Sequence, residues 1–448
     1  MFRKLYVVSN LKSLAAALVL FLPTLGTGQA QNVSTGSAQT AKPQVVVFSD
    51  GGDDRTFGHA ATDAAGNVYI AADLGDPHLT NSFGVVKYSA QGKLTEEFHF
   101  NPTSPGNGFA QDVKVDAAAG NVYACGFTFP FGGLVISFDP SGKTRWTQTL
   151  GDHLISSMVF DQSGHLYVGG DSAGAILVAK ITTGGTLLWQ RKHQGTTITN
   201  VGAGVTDLQL DSRGNVIVIG NTGNAEFRQD TTVLKLNPQG DILWTRDFGE
   251  DQGFNSIPQG GAVDHNDGIF ATGTALNIFS GEEIPYTVKY DTFGNREFLL
   301  TGAGNGGAAI AVDSAGDIVL HGSTLIQSET VPTVSKIDPT GKTIFVTRIS
   351  TTGVLTVDSQ GNIYVSGTPN ARGFQVVTLN SKGHLLSTVD VPLPNFTNIQ
   401  GISDSILDPF GNLLVTGFGL PQDGGLDDIL VVRLPTSSKP AADSLEKF

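Results

Sequence analysis

Acidic side chains at loop positions are the groups in this chain best placed to do chemistry. Asp53 and Asp54, Asp73 and Asp76, Glu250 and Asp251, Glu282 and Glu283, and Asp423, Asp427 and Asp428 fall between short apolar runs. Carboxylates gathered on a loop surface bind a hard divalent cation such as calcium, or a basic partner. The competing reading is solvated loop acids, since no ligand motif orders these residues. A second feature is Gly126-Phe-Thr-Phe-Pro-Phe131-Gly-Gly. Its Phe127, Phe129 and Phe131 either meet a sugar or protein or pack beneath a neighbouring loop.

Other chemistries find no support in the spacing. The 9 His residues have no HxxxH or HxH pairing, and Gly302-Ala-Gly-Asn-Gly-Gly307 lacks the Lys-Ser/Thr of a phosphate loop. The single cysteine, Cys125, sits in an apolar run and reads as a small buried hydrophobe. Asp139-Pro-Ser-Gly142 is one residue too long for the Asp-box of sialidases. Trp146, Trp189 and Trp244 each follow a Gly by four residues, a spacing similar to the docking repeats of quinoprotein dehydrogenases and the outer-membrane assembly propeller. Only three units carry this Trp, and adjacent Cys residues are absent, so outer-strand packing is expected and a quinone cofactor is not.

The elements that would position these groups are copies of one unit. Asp211-Ser-Arg-Gly214-Asn215-Val-Ile-Val-Ile-Gly220 recurs in variants beginning at Asp63, Asp116, Asp161, Asp264, Asp313, Asp358 and Asp408, at intervals of 45 to 53 residues. Asp followed three residues later by Gly suits a type I turn, with the carboxylate accepting turn amides and Gly taking positive φ. The run after it is β-branched and apolar on both sides of the pleat, as in a strand buried on both faces. A second turn follows about 20 residues on, as in Lys235-Leu-Asn237-Pro-Gln-Gly240-Asp-Ile-Leu-Trp244. Each unit is therefore four strands joined by two Asp-x-x-Gly hairpins, the content of a propeller blade.

Eight copies predict an all-β, single eight-bladed β-propeller of four-stranded antiparallel blades over 44–435. The last unit ends one strand short, and Val45-Val-Val-Phe48 supplies a fourth-strand sequence at the other end. The N-terminal strand is expected to complete the last blade and close the ring. The paired texts D-x-x-G-N-hydrophobic-G and K-hydrophobic-D-x-x-G-x-hydrophobic-W resemble the bacterial SBBP β-propeller repeat family, with NHL-type propellers as cousins. That family name refers to seven blades, which stands as the alternative count. The resemblance implies a propeller of exported bacterial proteins with no shared activity.

Residues 1–30 read as a secretory signal peptide: Arg3, Lys4 and Lys12, an apolar core from Ser13 to Pro23, and small residues at Gly28-Gln-Ala30. Residues 31–43 form a flexible lead-in and 436–448 a polar tail. No later run is long and apolar enough to span a bilayer. The chain has 27 basic and 41 acidic side chains, and removing the signal leaves a charge of −17. That balance argues against nucleic acid and anionic membranes as partners. The expected function is a secreted or periplasmic, monomeric, non-catalytic module that binds or scaffolds a protein or extracellular glycan. The alternative is a lyase or hydrolase on glycans or lactones using loop acids and a divalent cation.

Overall fold

In the computed structural model the described residues run from 43 to 436, apart from 50–52, 76–80, 101–106, 117–118, 130–131, 152, 197–202, 226–227, 250–253, 278, 303–305, 327–328 and 423. The expected signal peptide, nearly all of the lead-in and nearly all of the tail lie outside them. Among the described residues thirty-two strands form eight four-stranded antiparallel sheets, so the count of eight blades holds. Blades 1 to 7 occupy 60–100, 108–149, 154–194, 204–248, 254–301, 309–348 and 353–392 in chain order. Blade 8 takes its first three strands from Phe396–Leu407, Asn412–Pro421 and Asp428–Pro435 and its fourth, β1, from Gln44–Phe48. Val47 pairs with Leu430 and Phe48 with Ile429, so the two ends of the chain share one sheet as expected.

The turn chemistry explains why the unit repeats. Asp211 Oδ1 accepts the N–H groups of Arg213 (2.9 Å) and Asn215 (2.8 Å), and Oδ2 accepts the Asn215 side-chain amide (2.7 Å). Asp63, Asp358 and Asp408 make the same bonds in their blades. Where the text varies, the turn survives by substitution. Thr182 uses its hydroxyl to cap Thr186 N–H (3.1 Å), and Asp267 takes the left-handed place of Gly at φ 63°. Asp tolerates that conformation, and here its carboxylate is held by Ser212 of blade 4 through N–H and Oγ, both at 2.8 Å.

Second and third strands are buried on both faces because each blade lies between two others. Val216–Gly223 is buried at nearly every position, while the outer strand Thr144–Thr149 alternates with solvent. Eight hydrophobic clusters result, each straddling one joint between neighbouring blades, the seam between blades 8 and 1 included. Fourth-strand aromatics reinforce six joints by stacking on the glycine of the next blade's second turn: Phe98 on Gly142, Trp146 on Gly185, Trp189 on Gly240, Trp244 on Gly294, Phe298 on Gly341 and Phe345 on Gly383. A Cβ there would run into the ring. Trp146, Trp189 and Trp244 also donate to Thr183 O (2.9 Å), Pro238 O (3.1 Å) and Thr292 O (3.1 Å).

A second device crosses the joints from the inside. Lys235 on the third strand of blade 4 pairs with Asp211 of its own first turn (2.9 Å) and donates to Thr292 O (3.1 Å) of blade 5. Lys180 and Lys289 repeat it with Asp161 and Asp264, reaching Pro238 O and Pro339 O. Arg433 does so at the seam, joining Asp408 to Gly66 O (3.0 Å) and Ala90 O of blade 1. Blade 7 has Thr378 in this position, and its neighbour, blade 8, is the blade whose third and fourth strands are not joined by a turn.

Candidate functional site

One end of the ring carries the loops that join second to third strands and blade to blade, and there the seam acids converge. Asp54 N–H donates to Asp427 O (2.8 Å), and Arg55 exchanges backbone bonds with Asp73 (3.0 and 2.8 Å). The Arg55 guanidinium then binds Asp53 Oδ2 and Asp427 Oδ2, each at 2.9 Å. Asp427 Oδ1 accepts Gln400 Nε2 (2.6 Å), and Asp54 Oδ1 accepts Gly75 N–H (3.0 Å). The juxtaposition of 53–54, 73 and 427–428 across the seam follows the sequence reading. Arg55, at its centre, was missed. Asp76 and Asp423 lie outside the described residues, as do Glu250, Asp251 and Phe131. Among the described residues no set of three or more His, Cys, Asp or Glu side chains is arranged to hold a metal.

Burial pushes the Asp73 carboxyl up to about 8, with the Ala110 backbone N–H and Arg55 pulling the other way and Asp53 adding to the rise. Next to the seam an open cleft of about 460 Å³ is lined by Val47, Asn395, Phe396, Pro421, Gln422 and Asp428. The long first hairpin of blade 8 forms one wall of it, because Phe396 still pairs with Pro421 beyond the usual blade edge.

On blade 2 the aromatic loop builds a three-ring group at the same end. Phe127 stacks on Phe109, its cross-strand partner, at 4.9 Å between centroids. Phe129 meets Phe127 at 5.6 Å and Phe109 at 6.3 Å edge-on, and it is 56 % exposed. Phe109 was not recognised in the sequence because its partner lies a full hairpin away.

The axial channel is the larger omission. First strands line it, and at a bulge in blades 2, 4 and 8 they place Asp112, Asp207 and Asp404. Asp112 Oδ2 accepts Met158 N–H of blade 3 and Asp404 Oδ2 accepts Ala60 N–H of blade 1, both at 2.8 Å. Lys114 donates to Asp112 (2.7 Å), and His59 Nδ1 faces Asp404 (3.4 Å) with its side chain half exposed to the channel. Hydrogen bonding to Asp404 outweighs burial and raises His59 to about 9, so it is an imidazolium at neutral pH. Burial alone would raise Asp404, but His59 and the Ala60 and Ser405 amides hold it below its ordinary value. Burial raises Asp207 to about 6 against the pull of Gln209 and His59. The channel thus holds an imidazolium and a titrating carboxyl, a constellation able to orient a polar ligand. A signal did exist: in Asp112-Val-Lys-Val-Asp116, Asp207-Leu-Gln-Leu-Asp211 and Asp404-Ser-Ile-Leu-Asp408 an acid precedes the turn Asp by four residues.

Residues 132–288, about a third of the chain, match the family model described as outer membrane protein assembly factor BamB. That stretch contains all three Trp latches. Among solved structures, the Dos1 propeller aligns with a TM-score of 0.56 at 10% identity, covering 87% of this chain and 94% of that one. The WD40 domain of SCAP from fission yeast aligns with a TM-score of 0.50 at 9% identity, covering 88% and 98%. No curated protein sequence matches the chain. Eight closed blades, the structural neighbours and the partial family match together make this chain a β-propeller repeat protein.

Proposed function

We propose that the protein is an exported, non-catalytic propeller of the SBBP type that binds a protein partner across the loop face bearing Phe129 and the seam acids. The observation that carries this reading is the Phe109–Phe127–Phe129 group. Its outermost ring is 56 % exposed, and it stands on the same end of the ring as the acidic seam. Aromatic anchors with charged surroundings are the usual composition of a protein interface. An acidic chain favours a partner with a basic, partly apolar surface. The match of 132–288 to a family named for outer-membrane protein assembly supports a partner of protein nature.

The test has two arms. N-terminal sequencing of the native protein should begin just after Ala30, and an unprocessed cytoplasmic protein would end the export reading. Crosslinking of residues 31–448 to its surroundings should yield a partner whose recovery falls at least tenfold with Phe129→Asp. Equal recovery would place binding elsewhere. The second reading, a lyase or hydrolase, is favoured by the His59, Asp404 and Asp207 convergence. Turnover of glycans or lactones that disappears in His59→Gln would establish it over the first.

A further inference from the structure

The seam acids are unevenly satisfied. Asp427 uses both carboxylate oxygens, on Arg55 and Gln400, and Asp54 Oδ1 is taken by Gly75 N–H. Asp53 gives Oδ2 to Arg55, yet its buried Oδ1 has no hydrogen-bond partner. Asp73 is 1 % exposed, and neither of its carboxylate oxygens has a well-formed hydrogen bond; the Ala110 N–H offsets only part of its burial. Three carboxylate oxygens are therefore removed from water with little in exchange, an expensive arrangement for a folded protein.

The two residues are close enough for the Asp53 charge to raise the Asp73 carboxyl. Asp73 and Gly75 are alternate positions of the strand Val68–Gly75 and so share one face of it. The side of Gly75 from which a Cβ would project is filled by the backbone of Asp53. The Asp53 backbone therefore runs along the face of this strand that carries Asp73. A proton on Asp73 would relieve Asp73 alone and leave Asp53 Oδ1 orphaned. One dication satisfies all three oxygens and offsets the excess of acids over the single Arg55.

We propose that the space between Asp53 and Asp73 is a divalent-cation site of the calcium class, with these two carboxylates as its protein ligands. Carboxylate oxygens select a hard cation over zinc or copper. Calcium accepts irregular oxygen shells completed by water, whereas magnesium demands near-ideal octahedral geometry. With so few protein oxygens the site is a weak one, with Kd on the order of 10⁻⁴–10⁻³ M, the range of extracellular calcium modules.

The experiment is calcium titration of chelator-treated residues 31–448 by calorimetry, repeated by thermal melting in EDTA and in 5 mM calcium. Wild type should bind one calcium per chain and melt higher with it, because a ligand that binds only the folded state stabilises it. Asp73→Asn should lose binding at least tenfold and should melt above wild type in EDTA, since it removes the unpaired acid. Asp53→Asn should also lose binding, and it serves as the second variant if Asp73→Asn fails to fold. No calcium uptake by wild type, or uptake unchanged in either folded variant, would overturn the proposal. None of these readouts depends on a protein partner.

Discussion

Lys235→Met tests whether the buried lysine latch holds neighbouring blades together. The Lys235 side chain is 2 % exposed and that of Asp211 is fully buried, 2.9 Å apart. Removing the ammonium leaves the Asp211 carboxylate without a cation and takes its bonds to Thr292 O (3.1 Å) and Oγ1 (2.7 Å), of which Thr292 O keeps only the Trp244 donor. Breaking a buried pair from one side costs roughly 3–5 kcal/mol. Asp211 keeps the amides of Arg213 and Asn215, which places the expected loss near the lower end, about 3 kcal/mol. In Asp211→Asn/Lys235→Met no buried charge remains, so roughly half of the loss should return. The assay is urea unfolding at pH 7, followed by Trp fluorescence, which includes Trp244 stacked at the same joint, and by circular dichroism. Coincidence of the two probes checks that the blades unfold together. Blade 7 supplies the control: Thr378→Lys should add no stability, because blade 8 has no second turn whose carbonyl a lysine could reach. A loss below about 1 kcal/mol for Lys235→Met, at unchanged urea dependence, would refute the latch.

Two histidines give opposite pH responses. His321, fully buried, donates from Nδ1 to Thr333 O (2.9 Å) and accepts Gly353 N–H at Nε2 (3.2 Å), joining blade 6 to blade 7 as a neutral ring. Burial lowers its folded pKa, so its contribution is complete above about pH 6.5 and is lost as pH falls through the folded value. His321→Phe should flatten the drop in Tm between pH 7.5 and 5, and an unchanged drop would exclude it as the cause. His59 is raised to about 9 by Asp404. Its contribution is complete below about pH 6.5 and disappears as pH rises through 9. Melting of His59→Gln should approach that of wild type by pH 10 and fall short of it at pH 6. A constant gap would mean that the imidazolium does not tie blade 1 to blade 8.

The propeller was legible because its turns are local. Asp211 caps residues two and four positions ahead of it, so the same short text had to recur wherever the same turn was built. Closure was legible for a similar reason: a missing fourth strand and a spare one are visible as text, and Val45 does pair with Val432. The latch was only half legible. The lysines stood in the repeated text, but their targets are main-chain carbonyls about fifty residues on, such as Thr292 O for Lys235, and carbonyls have no letter. The aromatic docking looked irregular because three units use Trp and three use Phe against the same glycine. At the seam the sequence grouped Asp53, Asp54, Asp73 and Asp427, which the structure brings together. It did not reveal that Arg55 and Gln400 would commit Asp427 and half of Asp53 while leaving Asp73 unpaired.

That distribution separates structural acids from those free to act. Around the ring the turn Asp residues are engaged by amides, with a lysine added at Asp161, Asp211, Asp264 and Asp313 and an arginine at Asp408, and at the axis Asp112 and Asp404 are consumed by the next blade's N–H groups. Such acids are held in place by what they hold together. Asp73 is different: burial raises it to about 8, and the Ala110 N–H and the Arg55 charge offset only part of that penalty. It also sits where the chain's two ends are joined, between the backbone pairing of Arg55 and Asp73 and the Asp54–Asp427 bond that ties blade 1 to blade 8. A cation bound there would neutralise the repulsion between Asp73 of blade 1 and the segment that leads from β1 into that blade. Occupancy and closure would then be linked, since whatever binds only the closed ring must favour closing it. The residue least explained by the fold is therefore placed where a ligand would have the greatest leverage over it.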